Sequence, residues 1–199
     1  MKMRPIKIGI GGSHSTGKTS FLDNLETRLS RSNLRIHRVR DLAKGARALG
    51  FPILTEHTFE STLWIMAEGM RRETEATLVS DVVLIDRPVF DALGYFEAAL
   101  QITGRKVGQR DLEELQAIAI AHLGAYDLVI GTELDTMVAL GDGRHKNEDF
   151  RQAAANQIKT FLANKAPNAQ TLTTSNVEPM LDHALAIVKS HFSSERNGK

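Results

Sequence analysis

A parallel β-sheet covered by helices on both faces is the α/β fold class that the sequence predicts, and three observations predict it. Short strand-like runs alternate with longer stretches of helical periodicity, the order that builds parallel sheets through crossover helices. Val82-Val83-Leu84-Ile85-Asp86 is a continuous apolar run ending in an acid, which is how a strand buried on both faces reads. Gly12-Ser13-His14-Ser15-Thr16-Gly17-Lys18-Thr19 has the spacing G-x-x-x-x-G-K-S/T of the phosphate-binding Walker A loop, and it lies between a strand-like run and a helical one, as that loop requires.

The elements follow in order. Ile6–Gly11 is the first strand. The helix after the loop carries Leu22, Leu25 and Leu29 at helical spacing and runs to about Arg31, where Ser32-Asn33 breaks it. Leu34–Arg40 alternates apolar and basic residues and reads as a second strand. A short helix, Leu42–Leu49, ends at Gly50, with Pro52 just beyond. A long helix begins at Thr58, with Phe59, Leu63, Met66, Ala67, Met70 and Thr77 on one stripe. Trp64 reads as core, and Arg71-Arg72 as a solvated face. After the Val82–Asp86 strand, Pro88 opens a helix from Val89 to about Gln101. A loop at Gly104–Gly108 and a helix Asp111–His122 precede the fourth strand, Tyr126–Gly131. Gly141–Lys146 is a basic loop, and Asn147 to about Asn164 is a helix with Phe150, Ile158, Phe161 and Leu162 inward. Ala169–Thr174 is a weak fifth strand, Pro179 to about Phe192 a closing helix, and Ser193–Lys199 an end expected to fray.

Composition narrows the function classes. A chain of 199 residues, 42% hydrophobic and 25% charged, buries a full α/β core and reads as one domain, 1–199. The formal net charge is +1, so no global field argues for nucleic acid or a membrane surface as partner. There is no cysteine, which removes disulfides, zinc–cysteine sites and thiol catalysis and fits a cytoplasmic protein. No leader-like apolar segment follows Met1–Pro5, and no apolar run approaches the roughly 20 residues that cross a bilayer.

Each residue of the loop has a physical task. Gly12 and Gly17 let the backbone turn so that its N–H groups approach phosphate oxygens. The helix that begins near Gly17 aims its free amides, those of Lys18, Thr19 and Ser20, and its positive dipole end at the same anion. Lys18 reaches toward the β- and γ-phosphates of ATP, and the Thr19 hydroxyl toward Mg²⁺. Ser13, His14, Ser15 and Thr16 complete the phosphate-facing loop, with His14 expected at its surface.

Ligands of parallel sheets sit beyond the carboxyl ends of the strands. Gly12–Thr19, Asp41, Asp86-Arg87 and Thr132-Glu133 therefore converge on one crevice. Asp86, ending a buried strand, is the second Mg²⁺-binding candidate beside Thr19; its other reading is a cap of the helix after Pro88. Motor-type ATPases commonly place Glu directly after this Asp to activate water. Arg87 stands there instead, and its planar fork suits a substrate phosphate or carboxylate. Asp41 also fits as an N-cap of the following helix, and Lys44 and Arg47 are placed to face the same pocket.

Gly12–Thr19, Gly50-Phe51-Pro52-Ile53 with Leu63-Trp64-Ile65, Asp86-Arg87-Pro88 followed by Asp91, and Asp142-Gly143-Arg144 together resemble the P-loop small-molecule kinases that include thymidylate kinase and deoxynucleoside kinases. Within that group the chain looks like AAA-type ATPase/kinase proteins similar to the ribosylnicotinamide kinase domain of NAD-regulator proteins. The resemblance implies a P-loop NTPase three-layer sandwich, its five-stranded parallel sheet in the order 2-3-1-4-5, with a mobile lid over ATP at about 141–151. It implies that Arg144, with Arg151 one helix away, closes on the phosphates, and that Asp41 accepts the proton of the substrate hydroxyl, although relatives more often carry Glu there. The function expected is an ATP- and Mg²⁺-dependent kinase acting on a small phosphate acceptor, a nucleoside or nucleotide. The alternatives are a regulatory P-loop ATPase acting on a protein partner, or a kinase of a specialised metabolite or antibiotic. The long helices leave room for a homodimer.

Overall fold

The structure, a computed structural model, describes residues 3–134 and 147–193. Along the chain run β1 (Ile6–Gly11), α1 (Lys18–Leu29), β2 (Ile36–Val39), α2 (Ala43–Ala48), a 3-10 turn (Leu54–Glu56), α3 (Phe59–Val79), β3 (Val82–Asp86), α4 (Val89–Thr103), α5 (Gln109–Leu123), β4 (Leu128–Thr132), α6 (Glu148–Lys165), β5 (Gln170–Leu172) and α7 (Val177–Ser193). The strands pair in the order β2-β3-β1-β4-β5, every pair parallel. This is the three-layer sandwich and strand order that the resemblance implied.

Strand alternation decides which helix covers which face. Ile6, Ile8 and Ile10 of β1, Val82 and Leu84 of β3, and Leu128 and Ile130 of β4 pack under α1 and α7, against Phe21, Leu22, Leu25, Leu181, Ala184 and Val188. Val83 and Ile85 point the other way, with Val39 and Ala76. On that side α3, α4, α5 and α6 form the larger core around Phe90, Leu93, Phe96, Phe150, Ile158 and Phe161.

Several sequence boundaries move. The second strand is Ile36–Val39 rather than Leu34–Arg40, because only these residues pair with β3. The first helix stops at Leu29, and β5 shrinks to three residues. The 3-10 turn was not expected; its residues carry no periodicity. In α3, Ala67 is exposed, and the buried line runs through Thr62, Met66, Gly69, Glu73 and Ala76. Glu73 is tolerated inside because Tyr126 Oη donates to its Oε1 (3.0 Å), His122 Nε2 meets its Oε2 (2.9 Å) and Lys7 Nζ lies 3.5 Å away. Arg71 and Arg72 lie on the solvated face, paired with Glu68 and Glu75. Trp64 packs on Phe51, ring centroids 5.7 Å apart. Among the described residues no helix is long and apolar enough to cross a membrane.

The register brings Gly11, Asp86 and Thr132 to one edge of the sheet, since Ile10 pairs with Asp86 and Gly11 with Gly131. Asp41 follows β2 beside them. The crevice above this edge is framed by α4, whose approach to α6 depends on Gly94: a Cβ there would lie 2.4 Å from Ile158 Cγ1 and 3.3 Å from the Ile158 amide nitrogen. Gly94→Ala is expected to destabilise the fold by about 1–3 kcal/mol, the usual cost of overpacking. Urea unfolding checks this; an unchanged midpoint would mean that α4 and α6 do not pack as described.

Candidate active site

The loop between β1 and α1 is built around an unsatisfied helix start. Gly17 is the N-cap of α1, left-handed at φ 82, with no side chain to cap and no acid in the first turn of the helix. By contrast α3 is closed by a Thr58–Ser61 capping box, and α6 by Asn147 with Glu148 and Asp149 behind it. The first amides of α1 and its dipole end thus stay open to an anion. Gly12, at φ 139, has no room for a side chain: a Cβ would fall 1.9 Å from Thr132 Oγ1. Thr132 Oγ1 lies 2.6 Å from Thr16 Oγ1 and donates to Gly11 O at 3.2 Å, tying β4 to the loop.

Lys18 is buried and folded back on its own loop. Its ammonium donates to Gly12 O at 2.7 Å, to Ser13 O, and to Thr16 Oγ1 at 3.2 Å. Burial, with Arg87 nearby, lowers its pKa to about 7, against the pull of Asp91, Asp86 and Asp41. Ser13 Oγ and Ser15 Oγ are buried without a hydrogen-bond partner. Open amides, an ammonium held only by carbonyl and hydroxyl oxygens, and spare hydroxyls fit a polyphosphate. Thr19 and Ser20 are exposed at the first turn.

Asp86 caps no helix. Its Oδ2 receives Arg38 Nη2 at 3.1 Å, and the same buried guanidinium bonds Asp23 of α1. Its other oxygen, with the Thr19 hydroxyl, suits a hard cation such as Mg²⁺. Among the described residues no group of three or more His, Asp or Glu could hold a metal ion, so a cation here would take most of its ligands from phosphates and water.

His14 and Arg151 depart from expectation. His14 is buried rather than at the loop surface, and it lines the neighbouring cavity. Arg151 is buried in the first turns of α6, not free to swing. Its Nε donates to His14 O at 3.1 Å, its Nη2 to Ser15 O at 3.3 Å, and Glu148 holds its other edge at 3.1 Å. It props the phosphate loop from behind. Arg144 and residues 141–146 of the expected lid lie outside the described residues; 147–151 are the cap and first turn of α6. Glu133 leaves the crevice: it is exposed and pairs with Lys159 at 3.5 Å.

Beside the loop lies a cavity of about 210 Å³. Its inner end is one charge network. Arg87 Nε meets Asp41 Oδ2 at 2.9 Å, Arg87 Nη1 meets Asp91 Oδ2 at 3.2 Å, and the guanidinium carbon sits 4.8 Å over the Tyr95 ring. Asp91 Oδ1 accepts the Gly12 N–H at 2.8 Å. The N-cap of α2 is Leu42 rather than Asp41, but Asp41 Oδ1, one residue earlier, accepts the Ala43 N–H at 2.8 Å. Burial would raise Asp41, but Arg87, the Ala43 amide and Lys18 hold it below the usual carboxylate range. Arg87 itself is left-handed at φ 71, immediately before Pro88, a conformation that costs of order 1–3 kcal/mol and persists only when surroundings over-determine it. The outer wall is the 3-10 turn, pinned where Arg105 Nη2 donates to Thr55 O and His57 O at 2.9 and 2.8 Å. Burial, with Arg87 and Arg105, lowers His57 to about 4, so it stays neutral.

Asp91, Arg38, His57 and Tyr95 were given no task by the sequence. Asp91 alone left a signal, as the acid that follows Asp86-Arg87-Pro88 in the motif.

A family model described as an AAA domain matches residues 7–174. The chain belongs to the AAA domain family. No curated protein matches this AAA domain by sequence. Solved structures similar to it include deoxyadenosine kinase from M. mycoides, with products dCMP and a flexible dCDP bound, at 14% identity and TM-score 0.64, covering 93% of this chain and 100% of that one. Thymidylate kinase from Candida albicans aligns at 15% identity and TM-score 0.65, covering 96% and 93%. NadR protein in complex with NR aligns at 16% and TM-score 0.61 over 85% of this chain, which spans only 45% of that protein. At these identities the likeness is one of fold.

Asp91 gives the network a pH signature. Burial pushes its pKa up to about 6, against the pull of Arg87, Lys18 and the Gly12 amide. A carboxyl whose folded pKa lies above its unfolded value of about 3.9 binds more protons in the native state, so stability falls as pH rises between about 4 and 6. Asp91→Asn is expected to remove that component of the slope. Melting temperatures of both proteins from pH 4 to 7 check it; parallel curves would refute the assignment.

Proposed function

We propose that this AAA domain is an ATP- and Mg²⁺-dependent kinase of a small metabolite, a nucleoside or nucleotide. The observation that carries the reading is the cavity beside the phosphate loop, which brings Asp41, Arg87 and Asp91 to its inner end. A hydrolase needs a way in for water, and commonly a Glu after the strand acid; here that position is Arg87, and the space beside the loop is the size of a small organic acceptor.

The residues divide the work. The main-chain N–H groups of Ser13–Ser20 and Lys18 hold the phosphates, the Gly12 N–H being taken by Asp91, with Lys18 released from Gly12 O and Ser13 O to do so. Thr19 and Asp86 would hold Mg²⁺, which neutralises developing charge on the phosphates when bound. Arg38 orients Asp86. Asp41, open to the cavity, accepts the proton of the attacking hydroxyl as the acceptor oxygen bonds to the γ-phosphorus and ADP leaves. Arg87 fixes Asp41 and presents its remaining edge to the acceptor. Arg144 is assigned the stabilisation of the charge that develops in phosphoryl transfer.

Lys18→Ala is expected to lower ATP affinity and turnover severely while circular dichroism stays native; wild-type turnover in the folded variant would sink the reading. Asp41→Asn keeps an oxygen for the Ala43 amide and loses the proton acceptor. Its kcat is expected to drop by roughly 10²–10⁴, the usual worth of a general base, with ATP affinity unchanged. Steady-state kinetics decide, and full activity would leave Asp41 only its bond to the Ala43 amide.

A further inference from the structure

The two ends of the acceptor cavity differ in charge. At the inner end every charge is engaged: Arg87 by Asp41 and Asp91, and both acids by Arg87. At the outer end α2 presents Lys44 and Arg47, both lining the cavity. Three residues apart, they share one helix face. No acid stands in the first turn of α2. Among the described residues neither side chain makes an ion pair or hydrogen bond. The rest of the lining is mainly apolar, with Leu42, Ile53, Leu54, Ile65 and Ala92 beside His14, His57 and Tyr95. His57, neutral and buried, adds no opposing charge.

We propose that the acceptor carries an anionic group, a phosphate ester or a carboxylate, which Lys44 and Arg47 hold at the outer end of the cavity while its reacting hydroxyl faces Asp41. The inference rests on the kinase reading of the same site and names its substrate class. Two unopposed cations at a concave surface focus a positive potential. The planar fork of Arg47 matches the paired oxygens of a carboxylate or phosphate, and Lys44 adds a mobile point charge. The apolar part of the lining accommodates a ring or base. A cationic acceptor would meet two like charges with nothing to offset them.

The test is calorimetric titration of adenosine, uridine, their 3′- and 5′-monophosphates, and orotidine, a nucleoside bearing a carboxylate. The full chain is first saturated with a non-hydrolysable ATP analogue, so that the phosphate loop is not available to the probes. At least one anionic probe is expected to bind about tenfold or more tighter than its neutral parent, a difference of about 1.4 kcal/mol. The esters against orotidine tell phosphate from carboxylate. Lys44→Gln with Arg47→Gln is expected to erase that preference while the neutral parent and the analogue bind as before; Arg47→Gln alone should erase part of it. Equal affinity within each pair, a preference that survives the double substitution, or no binding by any probe overturns the proposal. Binding of the analogue reports separately on the phosphate loop: should it fail, the kinase reading fails, and the same titrations without analogue still decide the anion preference.

Discussion

Arg87 is the point on which the crevice depends. Its guanidinium joins Asp41 before α2 to Asp91 in α4, and Asp91 in turn holds the Gly12 amide of the phosphate loop. Three elements far apart in sequence are thus tied through one cation. The backbone accepts a left-handed conformation at Arg87 to make this reach. Such strain survives only where partners repay it. Removing the cation would leave the buried Asp91 carboxylate without its partner, and breaking a buried pair in this way typically costs about 3–5 kcal/mol.

Two further buried arginines finish the positioning from other directions. Arg38 reaches from β2 to Asp86 and Asp23, coupling β3 to α1. Arg151 reaches from α6 to the carbonyls of His14 and Ser15. All three use the rigid fork of the guanidinium, which bonds two groups at once at fixed angles; an ammonium would hold either one without orienting it. Buried pairs of this kind are weak sources of net stability, and their contribution here is geometric. They leave Lys18 buried, held by carbonyl and hydroxyl oxygens with no carboxylate partner, its pKa lowered to about 7 by burial.

The two halves of the crevice follow different rules. The phosphate half is made of main-chain amides and small residues whose positions the strand-loop-helix turn dictates, and it varies little between proteins that share the fold. The other half is walled by α2 and the 3-10 turn, short elements with few main-chain constraints. There the lining combines apolar side chains with the cations Lys44 and Arg47.

Local signals carried most of the fold. Gly12–Thr19 was legible because its spacing is a backbone requirement, and Val82–Asp86 because a strand buried on both faces has no polar side to show. The order of the strands followed from the family resemblance and holds in the structure. The ends of Leu34–Arg40 and Ala169–Thr174 were not legible, since a strand extends only as far as its neighbour offers a ladder. The burial of Glu73, set by Lys7, His122 and Tyr126, left no trace in periodicity, nor did the pairing of Arg38 with Asp86. The same holds for the bonding of Arg151 to the carbonyls of the Walker A loop. An arginine reads as a surface charge until packing supplies carboxylates or carbonyls at its reach. The residues of the Walker A loop were therefore written in local spacing, whereas the charge partners around them come from distant segments and were decided only when the sheet closed.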